Sequence, residues 1–204
     1  MLNLYDAIKH RRSIRKYQDR SIPKEIIEDA LVAAGWAPSA HNAQPWRFVV
    51  LDDWAVKHQL AEAMAQAWAV DMSRDGSKVD METQKARVER FASAPVLIIA
   101  CTTMEGMARQ PDAERQIVER DLTLESLGAA LQNLLLTVHA QGLSACWFCA
   151  PAFCKDAVRE NLAIPSDVDP QALIVMGYSA EQPSTPPRKA MGEYCFKDKW
   201  GRHF

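Results

Sequence analysis

The chain has 204 residues, a length typical of one domain with a substantial core. Hydrophobic residues make up 48% of it and charged residues 25%, the ordinary balance of a soluble globular protein. The formal net charge of -2 leaves no basic excess for general binding to nucleic acid.

The predicted elements are helices that alternate with short apolar strands. Asn3 can cap a first helix, Pro23 suits the first turn of a second, and Asp52 or Asp53 can cap a third. A nearly continuous apolar run at 95–101 indicates a strand covered on both faces. The patterns predict helices over 4–12, 23–35, 54–72, 81–91, 113–140 and 155–162, and strands over 46–51, 95–101, 143–149 and 172–178.

Helices that alternate with four strands indicate one layered domain over residues 1–204, of either the α+β or the α/β class. Residues 122–138 are apolar almost all round, so they must be covered by the domain's own core or by a partner subunit. Residues 179–204 are polar and proline-rich, which is typical of a C-terminal arm that wraps a neighbour. We therefore expect a homodimer.

No charged segment followed by an apolar one opens the chain, so we expect no secretory signal. The apolar stretch at 122–138 contains Glu125, Gln132 and Asn133, which indicates a buried helix and not a membrane span. The five cysteines are an odd number and are expected to be reduced. These features predict a cytoplasmic protein that binds neither membrane nor nucleic acid.

Two of the cysteines, Cys146 and Cys149, have the C-x-x-C spacing, and Cys154 follows closely. This spacing occurs in redox and iron–sulfur sites, so those functions are an alternative to simple packing. The surroundings are apolar, and no second cysteine pair lies at metal-ligand spacing. We expect buried packing cysteines and no metal site.

Three arginines lie within residues 11–15, Arg-Arg-Ser-Ile-Arg. Guanidinium groups bind phosphate through paired hydrogen bonds, which a lysine cannot reproduce. The alternative is a solvated helix end, because the helix dipole also favours cations in the last turn. In that helix Leu4, Tyr5 and Ile8 would form the apolar face.

Residues 37–46 read Ala-Pro-Ser-Ala-His-Asn-Ala-Gln-Pro-Trp and form a loop rich in small hydrogen-bonding side chains. Such groups suit the polar edge of a flat heterocycle. The chain has only 8 glycines and contains neither G-x-G-x-x-G nor G-x-x-x-x-G-K-[ST], so a phosphate would depend on the arginines. Together the two segments suggest a cofactor with a phosphate at one end and a ring at the other.

These paired motifs, followed by the strand at 46–51, resemble the nitroreductase family of FMN-dependent oxidoreductases, and the resemblance spans essentially the whole chain. Within the family the chain is most similar to the FMN-binding C-terminal domain of the ligase that matures coenzyme F-420. The segments that carry this closer likeness are 37–48, with His41 inside it, 64–76, 129–135 and 142–147.

The resemblance implies a nitroreductase-like fold with a mostly antiparallel central sheet, in an intertwined homodimer with FMN between the subunits. Arg11, Ser13 and Arg15 would hold the phosphate and ribityl chain, and Arg188 would close over the phosphate. The remaining cofactor-binding candidates are Arg12 at the pyrimidine edge, Pro38, Ser39, Asn42 and, more weakly, Gln44 from the opposite subunit, and the backbone of Cys146, Trp147 and Phe148 along the ring edge.

The family likeness also implies the chemistry. NADH or NADPH would deliver a hydride through the flavin to a small oxidised acceptor, by a ping-pong mechanism in which no protein side chain is a catalytic acid or nucleophile. One alternative is a reductase of a deazaflavin, dehydro coenzyme F-420. Another, of a different class, is a flavin-binding protein without turnover, which a bulky side chain over the ring would favour.

Four residues near these motifs have a packing interpretation beside a functional one. Trp46 and Trp147 are expected to pack in the core, although either could be a stacking platform. Gln132 and Asn133 are polar within an apolar helix. We expect them to satisfy backbone or interface groups and not to contact substrate.

Overall fold

The computed structural model describes residues 3–204, which form seven α-helices around one four-stranded sheet. The helices are α1 (Leu4–His10), α2 (Lys24–Gly35), α3 (Trp54–Arg74), α4 (Met81–Ala92), α5 (Ala113–Ala140), α6 (Ala150–Phe153) and α7 (Lys155–Leu162). The strands are β1 (Trp46–Leu51), β2 (Val96–Thr103), β3 (Ser144–Phe148) and β4 (Val168–Gly177). Single 3₁₀ turns occur at Ala40–Asn42 and Met191–Glu193.

Side-chain caps fix where most of the long helices begin. Asn3, Asp53, Asp80 and Asp112 each accept a hydrogen bond from the backbone N–H three residues later, which satisfies a free donor of the first turn. Of the two candidate caps of α3, Asp53 is therefore the one used. Pro23 precedes α2 as its cap residue and does not lie inside it.

The sheet has the order β1-β2-β4-β3, and every pair is antiparallel. All eight residues of β2 are buried, which confirms the strand expected from the apolar run. Strand β4 begins at Val168, four residues before the predicted start. Pro170 lies in this extra segment, opposite Cys101, where a bulge at Ala100/Cys101 shifts the register and tolerates a residue without an N–H.

The two faces of β2 enter two separate cores, which makes the domain a three-layered α/β/α structure. Val96, Ile98 and Ala100 pack with α2 and α5 on one face. Leu97 and Ile99 pack with α3, α4 and α7 on the other. Because side chains alternate along a strand, one continuous apolar run supplies both cores.

Helix α5 is largely covered by its own domain, through buried residues such as Leu127, Leu131 and Leu134. Leu124, by contrast, has 38% of its surface accessible. The predicted apolar face of α1 is more exposed still, at 68% for Leu4 and 65% for Tyr5. No helix within residues 3–204 combines the length and apolar character needed to cross a membrane.

The C-terminal segment is tied to the chain at its beginning and exposed toward its end. The Glu181 carboxylate accepts hydrogen bonds from the backbone N–H groups of Arg15 and Lys16, at 2.5 and 3.2 Å. Ala180 N–H donates to the Lys16 carbonyl at 2.9 Å. Farther on, Trp200 is 91% exposed, so the end of the arm has little cover within one chain.

Candidate functional site

The arginine segment lies beyond α1, along the outer edge of the sheet. The helix was predicted to reach residue 12 but ends at His10, so Arg11 is its C-cap residue. Ile14 N–H donates to the Ala145 carbonyl of β3 at 3.2 Å, and the Ile14 side chain is buried. Since side chains alternate along extended backbone, burying Ile14 directs Ser13 and Arg15 away from that core.

Three guanidinium groups come together where this segment meets the arm. Burial lowers the pKa of Arg11, and repulsion by Arg12 and then by Arg188 lowers it further. Arg12 donates to the Lys9 carbonyl and to Thr185 Oγ1, both at 2.7 Å. The salt bridges formed among residues 3–204 include none of these three arginines. The cluster is therefore positive without a balancing carboxylate.

His139, near the end of α5, adds an unused polar atom beside this cluster. Its Nε2 is buried and has no hydrogen-bond partner in the part of the chain that the structure describes. Burial lowers the pKa of His139, and the charge of Arg11 lowers it further. Because buried polar atoms are normally hydrogen-bonded, this nitrogen is an unsatisfied position behind the cluster, and the uncompensated guanidiniums beside it suit a bound anion such as a phosphate.

The loop at 38–44 holds an unusual backbone. His41, Asn42 and Gln44 have φ values of 55°, 51° and 47°, in the left-handed region that is costly for residues other than glycine. Each such residue costs on the order of 1–2 kcal/mol, so the surroundings must hold the loop in place. Part of the support is internal, since Gln44 N–H donates to Ser39 Oγ at 3.0 Å. The Asn42 side chain remains exposed.

Helix α5 supplies the rest of that support through a buried carboxylate. Glu119 is only 5% exposed and accepts from His41 Nε2–H at 3.2 Å and from the Gln110 side-chain amide at 2.8 Å. The Gln110 hydrogen bond, together with His41, holds the pKa of Glu119 below its usual value. Ser126 Oγ accepts from Ala40 N–H at 3.2 Å. Sequence reasoning missed Glu119, because nothing local marks a glutamate as buried.

The two predicted halves of the site do not meet within one chain. The 38–44 loop contacts α5 at Ser126, whereas the arginine cluster lies beside His139. These positions are thirteen residues apart on one helix, which corresponds to about 20 Å along its axis. Within one chain, the two halves therefore contact α5 at separate places.

Strand β3 lies beside the arginine segment and presents a partly open surface. Trp46 is 8% exposed and packs in the core as expected, but 38% of Trp147 is accessible, so the expectation of core packing was wrong for Trp147. Phe148 is held by an edge-to-face contact with Phe91, with ring centroids 5.1 Å apart. Trp147 is therefore accessible at the edge that the sequence assigned to the cofactor ring.

Among the polar and cysteine candidates, some are buried or hydrogen-bonded as expected and others are exposed. Asn133 donates to the Ala33 carbonyl at 3.1 Å, which confirms that it satisfies a backbone group, while Gln132 is exposed. Cys146 is buried as expected, but Cys149 is exposed, so that part of the expectation was wrong. Burial raises the pKa of the Cys154 thiol to about 11 and also raises that of Cys146. Cys146 and Cys154 are thus protonated near neutral pH.

A cavity of about 330 Å³ lies just beyond β3, between α3, α4 and α6, and sequence reasoning did not predict it. The guanidinium of Arg87 stacks on the Trp68 ring, 4.4 Å from its centroid, and both residues line the cavity. Ala150, on α6, also lines it and packs in the same apolar cluster as Phe148. Helix α6 was not predicted, since its four residues are too few for a periodic pattern.

The chain belongs to the nitroreductase family, whose profile matches residues 8–178. It is 31% identical to a "putative NADH dehydrogenase/NAD(P)H nitroreductase" of Methanothermobacter thermautotrophicus, over 90% of this chain and 81% of that protein. A BluB-like flavoprotein from Clostridium difficile 630 has a similar structure, with a TM-score of 0.78, 24% identity, and coverage of 98% of this chain and 100% of that one. Oxidised iodotyrosine deiodinase bound to FMN and 3-iodo-L-tyrosine has a TM-score of 0.69, with 24% identity and coverage of 92% and 96%.

Proposed function

We propose that this chain is an FMN-dependent oxidoreductase that passes a hydride from NADH or NADPH to a small oxidised acceptor. The observation that carries the proposal is the set of uncompensated guanidiniums beside the orphaned Nε2 of His139, because this environment suits a phosphate. Membership of the nitroreductase family and the FMN bound to iodotyrosine deiodinase of the same fold support the identity of the cofactor.

The phosphate end of FMN would lie against residues 11–15 and the arm. Arg11 and Arg188 already share one positive region, and Arg15 and Ser13 lie near Cys146 of β3. Arg12 is committed to the Lys9 carbonyl and to Thr185, so reaching the pyrimidine edge would require it to exchange these contacts. In its present position Arg12 holds the arm against the phosphate region.

The ring end would need a second subunit. The spacing of about 20 Å along α5 between the contacts of the 38–44 loop and of the arginine cluster supports this assignment. We therefore assign Pro38, Ser39, Asn42 and, more weakly, Gln44 to the FMN of the partner. The exposed apolar side chains of α1, such as Leu4 and Tyr5, supply surface that a homodimer would cover.

When bound, FMN supplies the hydride chemistry, and the residues of this chain bind and orient it. The backbone of Cys146, Trp147 and Phe148 would follow the ring edge, and the accessible Trp147 leaves that region open. The raised thiol pKa values of Cys146 and Cys154 argue against a thiolate in the reaction, since only the thiolate is nucleophilic. Donor and acceptor would use one open face in turn, which is the basis of ping-pong kinetics.

The test is to identify the chromophore of the purified protein and then screen acceptors. We expect FMN and not FAD, at about one per chain, because the arginine cluster offers no second site for the adenylate half of FAD. In an anaerobic stopped-flow experiment, NADH or NADPH should bleach the flavin, and an acceptor should restore its colour. Nitroaromatics, quinones and a dehydro-deazaflavin form the acceptor panel, the last because of the motif likeness to the F-420 ligase domain.

The outcomes separate the alternatives. A protein that takes up FAD, or no flavin, contradicts the proposal. Reduced flavin that no acceptor reoxidises favours a flavin-binding protein without turnover. Reoxidation by the deazaflavin alone would assign the narrower activity.

A further inference from the structure

We propose that Glu119 is a positioning residue. Through its hydrogen bond with His41, it fixes the 38–44 loop, which would contact the FMN bound by the partner subunit. The inference rests on the proposed function, because it assumes that the 38–44 loop reaches FMN. Glu119 lies outside both sequence motifs, and its role would be to orient the loop.

The geometry makes Glu119 the common anchor of two loops. One carboxylate oxygen accepts from His41 Nε2–H at 3.2 Å and the other from the Gln110 amide at 2.8 Å. His41 belongs to the 38–44 loop and Gln110 to the loop that follows β2. Since Glu119 lies on the rigid helix α5, its hydrogen bonds fix the positions of both loops relative to that helix.

The same two loops also contact each other directly, so the hydrogen bonds to Glu119 hold both loops together. Arg47 donates to Glu105 at 2.5 Å and to the Gln44 carbonyl at 3.3 Å. Gly106 packs so closely on Ala43 that a Cβ at Gly106 would lie 3.1 Å from the Ala43 Cβ. A loop with three left-handed non-glycine residues persists only when contacts of this kind determine it.

The burial of Glu119 separates this role from an ordinary surface ion pair. Glu119 is 5% exposed, whereas the His41 side chain is 48% exposed. A buried carboxylate that accepts two hydrogen bonds has little freedom to move. The loop therefore gains a fixed position at His41, next to Asn42, while its outer surface stays free for a ligand.

The test compares FMN affinity in Glu119→Ala, His41→Ala and the double variant. Each single change should raise the FMN dissociation constant about tenfold or more, the scale of one lost hydrogen bond to a charged group. If Glu119 acts through His41, the double variant should be no weaker than the worse single variant by more than about twofold. Hydrogen exchange in residues 38–44 of the FMN-free protein should rise in all three.

Two further variants control for loss of stability and for the shape of the side chain. Asp53→Ala removes the N-cap carboxylate of α3, which accepts from Val56 N–H at 3.0 Å and lies beyond the end of β1 that is opposite to the loop, so it should lower Tm without changing FMN affinity. Glu119→Gln should keep affinity within about threefold of wild type, because its amide can accept from Gln110 and donate to the other tautomer of His41.

Unchanged affinity in Glu119→Ala, or additive effects in the double variant, would overturn the inference while leaving the proposed function intact. An affinity loss in Asp53→Ala equal to that in Glu119→Ala would also overturn it, since stability alone would then explain both. A wild-type protein that takes up no FMN would instead overturn the proposed function and this inference together.

Discussion

Replacing Arg11 with methionine should move FMN affinity and the stability of the free protein in opposite directions. In the FMN-free chain Arg11 is partly buried beside Arg12 and Arg188, and its pKa is lowered by that burial and repulsion. Its charge therefore costs stability when no anion is bound. Arg11→Met removes the charge, keeps an apolar stem of similar reach, and should raise Tm in the absence of FMN.

The loss of affinity can be sized from the environment of the guanidinium. A hydrogen bond to a charged group contributes about 1.5–3 kcal/mol, and a partly buried pair belongs in the upper part of that range. A loss of about 2–3 kcal/mol corresponds to an FMN dissociation constant raised about 30- to 150-fold. Arg11→Lys should recover only part of this, because an ammonium cannot form the paired contact.

The assay is fluorescence titration of the FMN-free protein with FMN, beside thermal unfolding with and without the cofactor. Arg20→Met is the matched control, since Arg20 stacks on Tyr178 at 3.7 Å and lies outside the cluster. It should lower Tm slightly and leave the dissociation constant unchanged. An Arg11→Met protein with wild-type FMN affinity, or with a lower FMN-free Tm, would refute the assignment of an anion site to this cluster.

Three other predictions concern assembly, mechanism and pH. The protein should sediment as a homodimer at low micromolar concentration, because Leu4 and Tyr5 are exposed in one chain; an FMN-loaded monomer would contradict the shared site. Steady-state kinetics should give parallel double-reciprocal lines, and intersecting lines would indicate a ternary complex instead. The triple variant Cys146→Ala, Cys149→Ser and Cys154→Ala should keep the rate per bound FMN while lowering stability. A triple variant that binds FMN but has no activity would indicate thiol chemistry. Burial raises the pKa of Tyr17, whose hydroxyl lies 2.9 Å from the Val175 carbonyl, so the folded state keeps a proton that the unfolded state loses above about pH 10. Stability in urea should therefore fall as pH rises above about 10, and Tyr17→Phe should flatten that fall; an equal slope in both proteins would assign the pH dependence to other groups.

The sequence predicted most of the fold because most elements are marked locally. Asn3 and Asp53 are caps, and the apolar run at 95–101 is typical of a strand covered on both faces. The family resemblance led to the nitroreductase fold, and the family profile confirms it. The early start of β4 was missed because Pro170 argues against a strand unless the register shift beside it is known.

Only part of the candidate site could be predicted from the sequence. The arginines of residues 11–15 form a visible cluster, but the orphaned nitrogen of His139 depends on how α1 packs against α5. Glu119 is 78 positions from His41 along the chain, and no local pattern shows that the two meet. The left-handed conformation of His41 is likewise not marked by any local pattern in the sequence.

The separation of the two half-sites along α5 has a genetic consequence. On the proposed dimer, a chain lacking Arg11 and a chain lacking Asn42 each bind FMN weakly alone, since both of their sites are damaged. When the two are made together, every mixed dimer joins the intact arginines of one chain to the intact loop of the other and regains one working site. Two loss-of-function alleles, one in residues 11–15 and one in the 38–44 loop, should therefore complement each other, whereas two alleles within residues 11–15 should not.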